Sequence, residues 1–366
     1  MRIAVSADSF SSFTSGFPVR GMMLSLIQMR QNDSFVLYYS SVPSDSRLAD
    51  FYNEINNLPN VEVRYLTRKG FRLKLARVLG WSVEDLDPSF DVFIDPGKPE
   101  FWKGGEGKAI CSLADLSTIR GYATGKYSWF FKYWNRIKYK KVLSRVRYIC
   151  AISEFTRDDI LSEWPQFSEK VKVVHNGIED FWFKTDDTES VELPFTGEYF
   201  IWWGLISRRK NISLLIDCYK ELKSQDPSLP KLLLIGKVEP YLMDEIMGKL
   251  DKDVILIPFQ DNEVLKELVK NSAGLIFPSF YEGFGLPVIE AFSQGVNVAC
   301  SNCTSLPEVA GGHAFLFDPN DKNGICEAIL SLKNGRSNPD ELMEYSKKFT
   351  YEKAAVAYSD LIDSIY

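Results

Sequence analysis

The sequence has little of what marks several common protein classes. Only two of its 366 residues are histidine and six are cysteine. No apolar run approaches the ~18 residues that a membrane-spanning helix needs. The first ten residues, MRIAVSADSF, lack the long apolar stretch and the cleavage site of a secretory signal peptide. These absences predict a protein without a transmembrane helix, with the cytosol as its default location.

The scarcity of histidine and cysteine also argues against a bound metal. Only Cys300 and Cys303 form a C-x-x-C pair, a spacing that can serve zinc binding or redox chemistry. A zinc site would need two more ligands, and the only histidines are His175 and His313. We therefore interpret the cysteines as reduced structural thiols and predict no metal site.

Composition and length indicate an ordinary globular protein with more than one domain. Hydrophobic residues make up 45% and charged residues 25% of the chain. At roughly 100–200 residues per domain the length suggests two domains. The net charge of −6 is uneven: residues 1–180 hold 25 basic and 21 acidic residues, and the remainder holds 18 and 28. This asymmetry suggests that only the first half faces an anionic surface.

Short β-rich runs alternate with longer helical stretches in both halves of the chain. The acidic segment 178–198 interrupts the alternation, and we interpret it as a linker. The pattern predicts two α/β domains with a cleft between them, each with a mostly parallel sheet covered by helices. The predicted strands are 3–6, 35–40, 61–66, 91–96, 108–115, 147–153, 170–177, 199–204, 231–236, 254–259, 273–279, 297–301 and 314–319.

Three consecutive cations follow a predicted strand in IWWGLISRRKN, residues 201–211. Gly204 ends the strand, and a helix follows the cations. Helix N-termini favour anions, and Arg209 and Lys210 suit a phosphate or diphosphate, the first by its planar fork and the second as a point charge. An isolated Arg-Arg-Lys run is more often a solvated surface, but the strand-end position favours the phosphate interpretation. Lys237 lies in a similar turn and could reach the same site.

Two glutamates flank a glycine loop in FPSFYEGFGLPVIEAFSQG, residues 277–295. We predict a strand before the loop and a helix after it, with Pro287 as first helical residue and Glu290 in the first turn. The loop would present backbone N–H groups at the carboxyl edge of a sheet, where open α/β folds bind ligands. There Glu290 could accept hydrogen bonds from neighbouring hydroxyls, as of a ribose, whereas Glu282 precedes the loop. The loop residues are Gly283, Phe284, Gly285 and Leu286.

Together these motifs resemble glycosyltransferase family 4, a family of retaining enzymes. PSFYEGFGLPVIEAFSQG, with seven residues between Glu282 and Glu290, is similar to the E-x7-E signature of the family. The matches cover most of the chain from about residue 110 onward, whereas the N-terminal third matches only loosely. The relatives that the chain resembles are bacterial enzymes that build polysaccharides such as O-antigen or capsule. Other matching stretches are GLISRRKN (204–211), LLLIGK (232–237), CTSLPEVAGG (303–312), ICAISEFTRDDI (149–160) and VKVVHNGIED (171–180).

The resemblance implies the GT-B architecture, an α/β fold with two Rossmann-like domains that face each other across a cleft. The acceptor would bind the N-terminal domain, residues 1–180 together with a C-terminal helix at 351–366. The nucleotide sugar would bind the C-terminal domain, residues 181–350.

The resemblance also implies roles for individual residues. Arg209 and Lys210 would hold the donor diphosphate, Glu290 the ribose hydroxyls, and Glu282 would lie beside the transferred sugar. Attack on the front face, with a donor phosphate oxygen accepting the proton of the acceptor, would require neither a protein base nor a metal or other cofactor. Where relatives often carry a His-Asp pair, this chain has Ala114 before Asp115; Asp115 remains a candidate acceptor contact in catalysis. The donor contacts implied in addition are Gly16, Arg20, Gly204, Lys237, Gly283, Phe284, Gly285 and Leu286.

The substrates implied are a nucleotide-diphosphate sugar and a glycan acceptor, which we expect to be linked to polyprenyl diphosphate. GDP-mannose is the first choice of donor, with UDP- and dTDP-sugars as alternatives. A sugar-nucleotide epimerase on the same fold would want more titratable groups, and a phosphorylase a pyridoxal-binding lysine motif that we do not find. A glycosidase would need the two glutamates ~5–10 Å apart across one bond. Their placement before and after a phosphate-type loop argues against that alternative. A degenerate binding module is disfavoured by the intact cations and glutamates.

Two segments of the first half, 64–80 and 126–148, are basic and contain no acidic residue. The second interleaves its cations with aromatic residues such as Trp129 and Trp134. This composition suits an anionic lipid surface or single-stranded nucleic acid, unless the aromatic residues are core and the cations a solvated face. Given the family, we predict peripheral attachment to the inner face of the plasma membrane and no nucleic-acid partner.

Overall fold

The chain divides into two compact units. A computed structural model describes residues 1–11, 16–39, 48–65, 89–97, 107–122, 129–184, 192–335 and 337–365. The first unit consists of Met1–Gly121, Tyr127–Glu179 and Phe349–Tyr366, and the second of Tyr122–Lys126 and Asp180–Lys348. Most of the basic segment 64–80 lies outside the described residues.

The first unit is built on a seven-stranded parallel sheet with the order β3-β2-β1-β4-β5-β6-β7. Strands β1, β2 and β5 are almost continuously apolar, as expected for strands that helices cover on both faces of a sheet. The strand bounds are β1 (Arg2–Ser6), β2 (Ser34–Tyr39), β3 (Val61–Tyr65), β4 (Val92–Asp95), β5 (Ala109–Leu113), β6 (Tyr148–Ala151) and β7 (Val171–Val173).

Helices of the first unit form two separate cores, one on each face of this sheet. The helix bounds are α1 (Gly16–Met29), α2 (Ala49–Asn56), α3 (Ser117–Arg120), α4 (Trp129–Leu143), α5 (Glu154–Glu163) and, after the second unit, α13 (Tyr351–Asp363). Helices α1, α2 and α13 pack in one core, and α4 and α5 in the other. Helix α5 begins directly after Ser153, whose side chain caps it by accepting from the Thr156 N–H.

The second unit contains a six-stranded parallel sheet with the order β10-β9-β8-β11-β12-β13. The strand bounds are β8 (Tyr199–Ile206), β9 (Lys231–Val238), β10 (Val254–Ile257), β11 (Gly274–Phe277), β12 (Val298–Ser301) and β13 (Phe315–Phe317). The helix bounds are α6 (Ile212–Gln225), α7 (Met243–Met247), α8 (Asn262–Lys270), α9 (Leu286–Ser293), α10 (Leu306–Ala310), α11 (Lys322–Asn334) and α12 (Pro339–Ser346).

Both strand orders are of the doubly wound, Rossmann-like kind, in which the order reverses beside the first strand of the sheet. The predicted α/β class with two Rossmann-like halves is therefore confirmed. Every strand that the sequence predicts is present, with bounds shifted by a few residues at its ends. Among the described residues no helix is both long enough and apolar enough to cross a membrane.

Helix α13 returns the chain from the second unit to the first. Thr350, just before it, pairs with Ile178 in an isolated parallel bridge. The helix then packs along α1 so closely that a Cβ atom at Gly21 would lie 1.9 Å from the Tyr351 ring. Ala355 and Ile362 are completely buried in the core that α1 and α2 share. The core of the first unit is thus completed by the last helix of the described chain.

Candidate functional site

The predicted phosphate motifs meet at one edge of the second sheet. Strands β8 and β11 are neighbours at the centre of that sheet, and the strand order reverses between them. The cations Arg208–Lys210 form a 3-10 turn directly after β8, and the glycine loop follows β11. Phe280 N–H donates to the Arg209 carbonyl at 2.8 Å, which ties the turn to the loop. Both motifs therefore lie at the topological switch point, the usual ligand position in an open α/β sheet.

An ion triad joins the turn to the loop. One carboxylate oxygen of Glu282 accepts from Arg209 Nη1 and the other from Lys210 Nζ, each at 2.6 Å. Arg209 Nη1 also donates to the Tyr281 carbonyl at 2.5 Å, and Lys210 Nζ lies 4.8 Å from the centre of the Phe277 ring. Two cations against one carboxylate leave the triad with a net positive charge.

The charge state of Glu282 follows from its surroundings. Only 7% of the residue is exposed. Burial by itself raises the pKa of a carboxyl group. The positive charges of Arg209 and Lys210 outweigh that effect and lower the pKa of Glu282 to about 2. The carboxylate is therefore ionised at neutral pH, and it cannot serve there as a general acid.

Thr304 and Ser305 hold the loop from the other side. Thr304 Oγ1 accepts from the Glu282 N–H at 3.2 Å. Ser305 Oγ contacts the carbonyls of Glu282 and Phe284, at 3.0 and 2.6 Å. Thr304 has a φ of 58°, in the left-handed region that a β-branched residue rarely occupies. Backbone strain of this kind concentrates at functional sites, where the surroundings fix it.

Helix α9 positions Glu290. Gly285 precedes the helix with a φ of 116°, and a Cβ atom there would lie 2.7 Å from Leu306 Cδ2. The prediction of the helix start is wrong by one residue, because Leu286 already has helical geometry and Pro287 is the second residue. Glu290 consequently begins the second turn of α9 instead of lying in the first. Its Oε2 accepts from Trp203 Nε1 at 3.0 Å.

Two glycines bring β8 and β9 close together beside the triad. Gly204 and Gly236 are partners in the register of the two strands, with φ values of 137° and 143°. A Cβ atom at Gly236 would lie 1.9 Å from the Gly204 carbonyl oxygen, so a side chain could not be accommodated without moving a strand. Lys237 follows Gly236 and is exposed.

The remaining predicted contacts belong to the first unit. Gly16 is the first residue of α1. Arg20 is 4% exposed, and its Nη1 donates to the Phe10 carbonyl at 2.8 Å, so in this structure its guanidinium holds the turn after β1. Asp115 follows β5, and its Oδ1 accepts from the N–H of Ser117, the first residue of α3, at 2.8 Å.

Sequence reasoning missed the side chains that support the triad. Trp203, Thr304 and Ser305 contact Glu290, the Glu282 N–H and the loop carbonyls respectively. Thr304 and Ser305 lie in the stretch CTSLPEVAGG, which matches the family, but its spacing alone does not show which loop these two side chains support. No three His, Cys, Asp or Glu side chains of the described segments are grouped as a metal site would require.

Chemically, the arrangement can bind an anion. The triad is buried on one side and cationic overall, and charge-assisted hydrogen bonds from Arg and Lys to phosphate are strong in such surroundings. Glu290, held by an indole N–H, retains acceptor capacity because each carboxylate oxygen has more than one acceptor site. A diphosphate with neighbouring hydroxyl groups has the chemistry that these residues match.

Two family models match the chain. The model described as Glycosyl transferases group 1 matches residues 183–349, which include the triad and Glu290. The model described as Glycosyltransferase Family 4 matches residues 112–180.

Two curated relatives agree with these matches. The chain is 30% identical over 199 residues to O-antigen chain mannosyltransferase B of Escherichia coli, covering 51% of this chain and 52% of the relative. It is 28% identical over 223 residues to the serotype-specific mannosyltransferase WbdA of Escherichia coli, covering 57% of this chain and 27% of the relative. The chain thus spans about half the length of the first relative and about a quarter of the second.

The fold is also that of solved glycosyltransferases. A crystal structure of Anabaena HepE in complex with UDP and glucose superposes with a TM-score of 0.69 at 15% identity, and the match covers 100% of both chains. At that identity the likeness shows the fold alone, and it is the GT-B fold that the sequence predicts. From the two family models and the two mannosyltransferase relatives, the chain belongs to the group 1, family 4 glycosyltransferases.

Proposed function

We propose that this protein is a retaining glycosyltransferase that moves a hexosyl group from a nucleotide-diphosphate sugar to a glycan acceptor. The observation that carries the proposal is the ion triad at the switch point, where Glu282 fixes Arg209 and Lys210 side by side. Preorganised cations can stabilise the negative charge that develops on a departing diphosphate. Such electrostatic stabilisation often contributes more to catalysis than any other single effect.

The donor and product class are proposed from the relatives. The two Escherichia coli relatives are named as mannosyltransferases, one of them of the O-antigen chain. GDP-mannose is therefore our first choice of donor and cell-surface polysaccharide the product. UDP-sugars stay as an alternative, because the solved Anabaena structure contains UDP.

In the proposed mechanism the chain supplies charge and position instead of a base. Arg209 and Lys210 neutralise the departing diphosphate, and Glu290 binds the ribose hydroxyls. The acceptor attacks the front face of the sugar, its proton passes to a donor phosphate oxygen, and the bond to the diphosphate breaks. Neither metal nor cofactor is required in this scheme. The depressed pKa of Glu282 supports it, since a permanently ionised carboxylate is no proton donor.

A panel of sugar nucleotides tests this function by thermal stabilisation and by hydrolysis. We expect nucleotides that carry one particular base to raise the melting temperature. We expect one sugar nucleotide to be hydrolysed, at the same rate whether or not a metal chelator is present. Glu290→Ala should weaken nucleotide binding, whereas Glu282→Ala should reduce turnover more than nucleotide affinity. Stabilisation by no nucleotide would refute the central proposal, and equal losses of affinity would refute the division of roles.

We also propose that helix α4 attaches the protein to an anionic membrane surface that carries a lipid-linked acceptor. The alternative that its aromatic side chains are core does not fit the structure: Trp129 is 77%, Phe130 55% and Trp134 53% exposed. The spacing of these three residues places their rings on one face of the helix. Lys140 and Lys141, which are also exposed, follow them toward the C-terminal end of the helix. Aromatic and basic residues on one face match the interface and the charge of an anionic bilayer.

A further inference from the structure

Asn211 follows Lys210 directly and has a backbone conformation that few residues adopt. Its φ is 57° and its ψ 29°, in the left-handed region that glycine, asparagine and aspartate tolerate best. Its N–H closes the cationic turn by donating to the Arg208 carbonyl at 3.2 Å, and its own carbonyl accepts from the Leu215 N–H at 3.2 Å. The conformation of Asn211 therefore sets the angle between the turn and α6.

The side chain of Asn211 is an anchor for the turn. Only 8% of the residue is exposed. Among the described residues its side chain makes no capping hydrogen bond to α6; its Nδ2 donates instead to the Pro319 carbonyl at 2.8 Å. Glycine would accept the same φ but has no amide, and an ionised aspartate could only accept a hydrogen bond. Asparagine supplies both the left-handed backbone and the side-chain donor that this position uses.

The segment that contains Pro319 also supports the carboxylate side of the triad. Phe317, the last residue of β13, accepts from the Asn302 N–H at 2.7 Å. Asn302 lies two residues before Thr304, which holds the loop by accepting from the Glu282 N–H at 3.2 Å. One segment of chain therefore ties the cationic turn to the residues that support the glutamate loop.

The ion pair of Lys210 with Glu282 closes these contacts into a ring. The two side chains are 12% and 9% exposed, and Nζ and Oε1 are 2.6 Å apart. A lysine side chain has many rotamers, and ordering it costs conformational entropy. An anchored backbone at the next residue restricts where its ammonium group can lie. The ring thus preorganises the cation before any ligand arrives.

We propose that Asn211 is a positioning residue, which fixes the Lys210 ammonium group beside Glu282 by holding the cationic turn against the segment after β13. Asn211 itself touches no reacting atom in this scheme. Its role toward the departing diphosphate rests on the proposed function, whereas its role toward the triad rests on the contacts alone.

Asn211→Gly tests the proposal, because it keeps the left-handed backbone and removes the anchor. Carbon-13 NMR of the side-chain carboxyl groups should show the pKa of Glu282 rising from about 2 toward its ordinary value, since the charge of Lys210 moves away. The kcat of sugar-nucleotide hydrolysis should fall roughly tenfold, with a smaller change in nucleotide affinity, because a displaced cation loses most where charge develops.

The matched control is Asn271→Gly in the same unit. Asn271 is exposed, and its amide donates to the Glu267 carbonyl at 2.7 Å, away from the triad. This variant should change neither the pKa of Glu282 nor kcat. Equal changes in Asn271→Gly and Asn211→Gly would overturn the proposal.

Asn211→Ala separates positioning from a general loss of stability. It also lacks the anchor, but its side chain strains the left-handed backbone, so it should be less stable than Asn211→Gly in urea. Positioning predicts the same fall in kcat for both variants. A fall in kcat that follows the loss of stability from one variant to the other would overturn the proposal.

Asn211→Asp keeps the test decisive where Asn211→Gly does not fold. It preserves the size of the side chain but places an acceptor against the Pro319 carbonyl, and it should give the same two changes. An unaltered pKa of Glu282 in the folded variants would overturn the proposal. If the native chain binds and hydrolyses no sugar nucleotide, the proposed function fails, while the NMR result still decides whether Asn211 positions Lys210.

Discussion

Glu282 occupies a buried position between two cations, and its protonation state is coupled to the stability of the fold. Its pKa falls from 4.5 to about 2, which corresponds to about 3 kcal/mol of stabilisation by the ionised form. Because the folded pKa lies below the unfolded one, this contribution is fully present above pH 4.5. It is lost as the pH falls toward 2.

Glu282→Gln should therefore remove this part of the acid sensitivity while lowering stability near pH 7 by about 3 kcal/mol. Urea denaturation at several pH values between 2 and 7 measures both effects. Glu263→Gln, at an exposed position of α8, is the control and should follow the native chain. If Glu282→Gln and the native chain lose stability in parallel as the pH falls from 4.5 to 2, the triad is not the source of the shift.

Trp203 is a positioning residue for Glu290. Its indole N–H donates to Oε2 at 3.0 Å, and a hydrogen bond to a charged group contributes about 1.5–3 kcal/mol. Trp203→Phe should therefore weaken nucleotide binding roughly tenfold, whereas the same change made in a Glu290→Ala background should add little.

Trp202→Phe is the matched control for this variant. The Trp202 N–H is buried and has no hydrogen-bond partner among the described residues. Its loss should change stability and leave nucleotide affinity unaltered. Additive effects of Trp203→Phe and Glu290→Ala, measured by titration calorimetry, would show that the two residues act separately.

At the residue scale the sequence predicts the identity of the cations and of both glutamates, but not their pairing. Spacing places Arg209 after one strand and Glu282 after another, more than seventy positions later in the chain. Only the adjacency of β8 and β11 makes them ion partners. The same holds for Trp203 and Glu290, because no local pattern reports that an indole on one strand meets a carboxylate on a later helix.

Helix α4 exposes several large aromatic side chains. Its buried side is Tyr139, Val142 and Leu143, and its exposed side carries the aromatic rings. Trp129→Ser with Trp134→Ser should abolish flotation with anionic liposomes at every salt concentration, since insertion of the rings is apolar. Lys140→Gln with Lys141→Gln should weaken binding roughly 30-fold at low salt, at about 1 kcal/mol per lysine, and much less at high salt.

The control for these variants lies on the second unit. Tyr241→Ser removes a ring that is 46% exposed there and should leave flotation unchanged. Failure of the native chain to float with anionic liposomes at low salt would refute the membrane proposal.

At the element scale the sequence is informative about strands and weaker about helix starts. Apolar runs followed by glycine or proline mark the strands, because a sheet covered on both faces needs them. The start of α9 is displaced because Gly285, in a left-handed conformation, lets Leu286 enter the helix before the proline. The resulting shift moves Glu290 out of the first turn, which no residue pattern indicates.

At the scale of the whole molecule, the last helix stabilises the unit that the chain started with. Ile362 of α13 is completely buried in the core of the first unit, so Ile362→Ala should destabilise that unit by about 2–5 kcal/mol. Hydrogen exchange should then show lost protection in β1–β7 and unchanged protection in β8–β13. Val356→Ala, on the exposed side of the same helix, should change stability by less than about 0.5 kcal/mol.

Equal loss of protection in both sheets after Ile362→Ala would mean that the two units unfold as one. The sequence predicts the return of α13 only through the family resemblance, because its apolar spacing fits any helix that covers a sheet.

The return of α13 also has a consequence for the order in which the protein folds during synthesis. The first unit lacks part of its core until residues 349–366 have left the ribosome, although its strands are made first. All residues from Asp180 to Lys348 emerge earlier, so the second unit can complete its own core while the first still exposes apolar surface along α1. Domains usually fold in the order in which they are made; here the second unit can reach its final structure before the unit whose strands precede it.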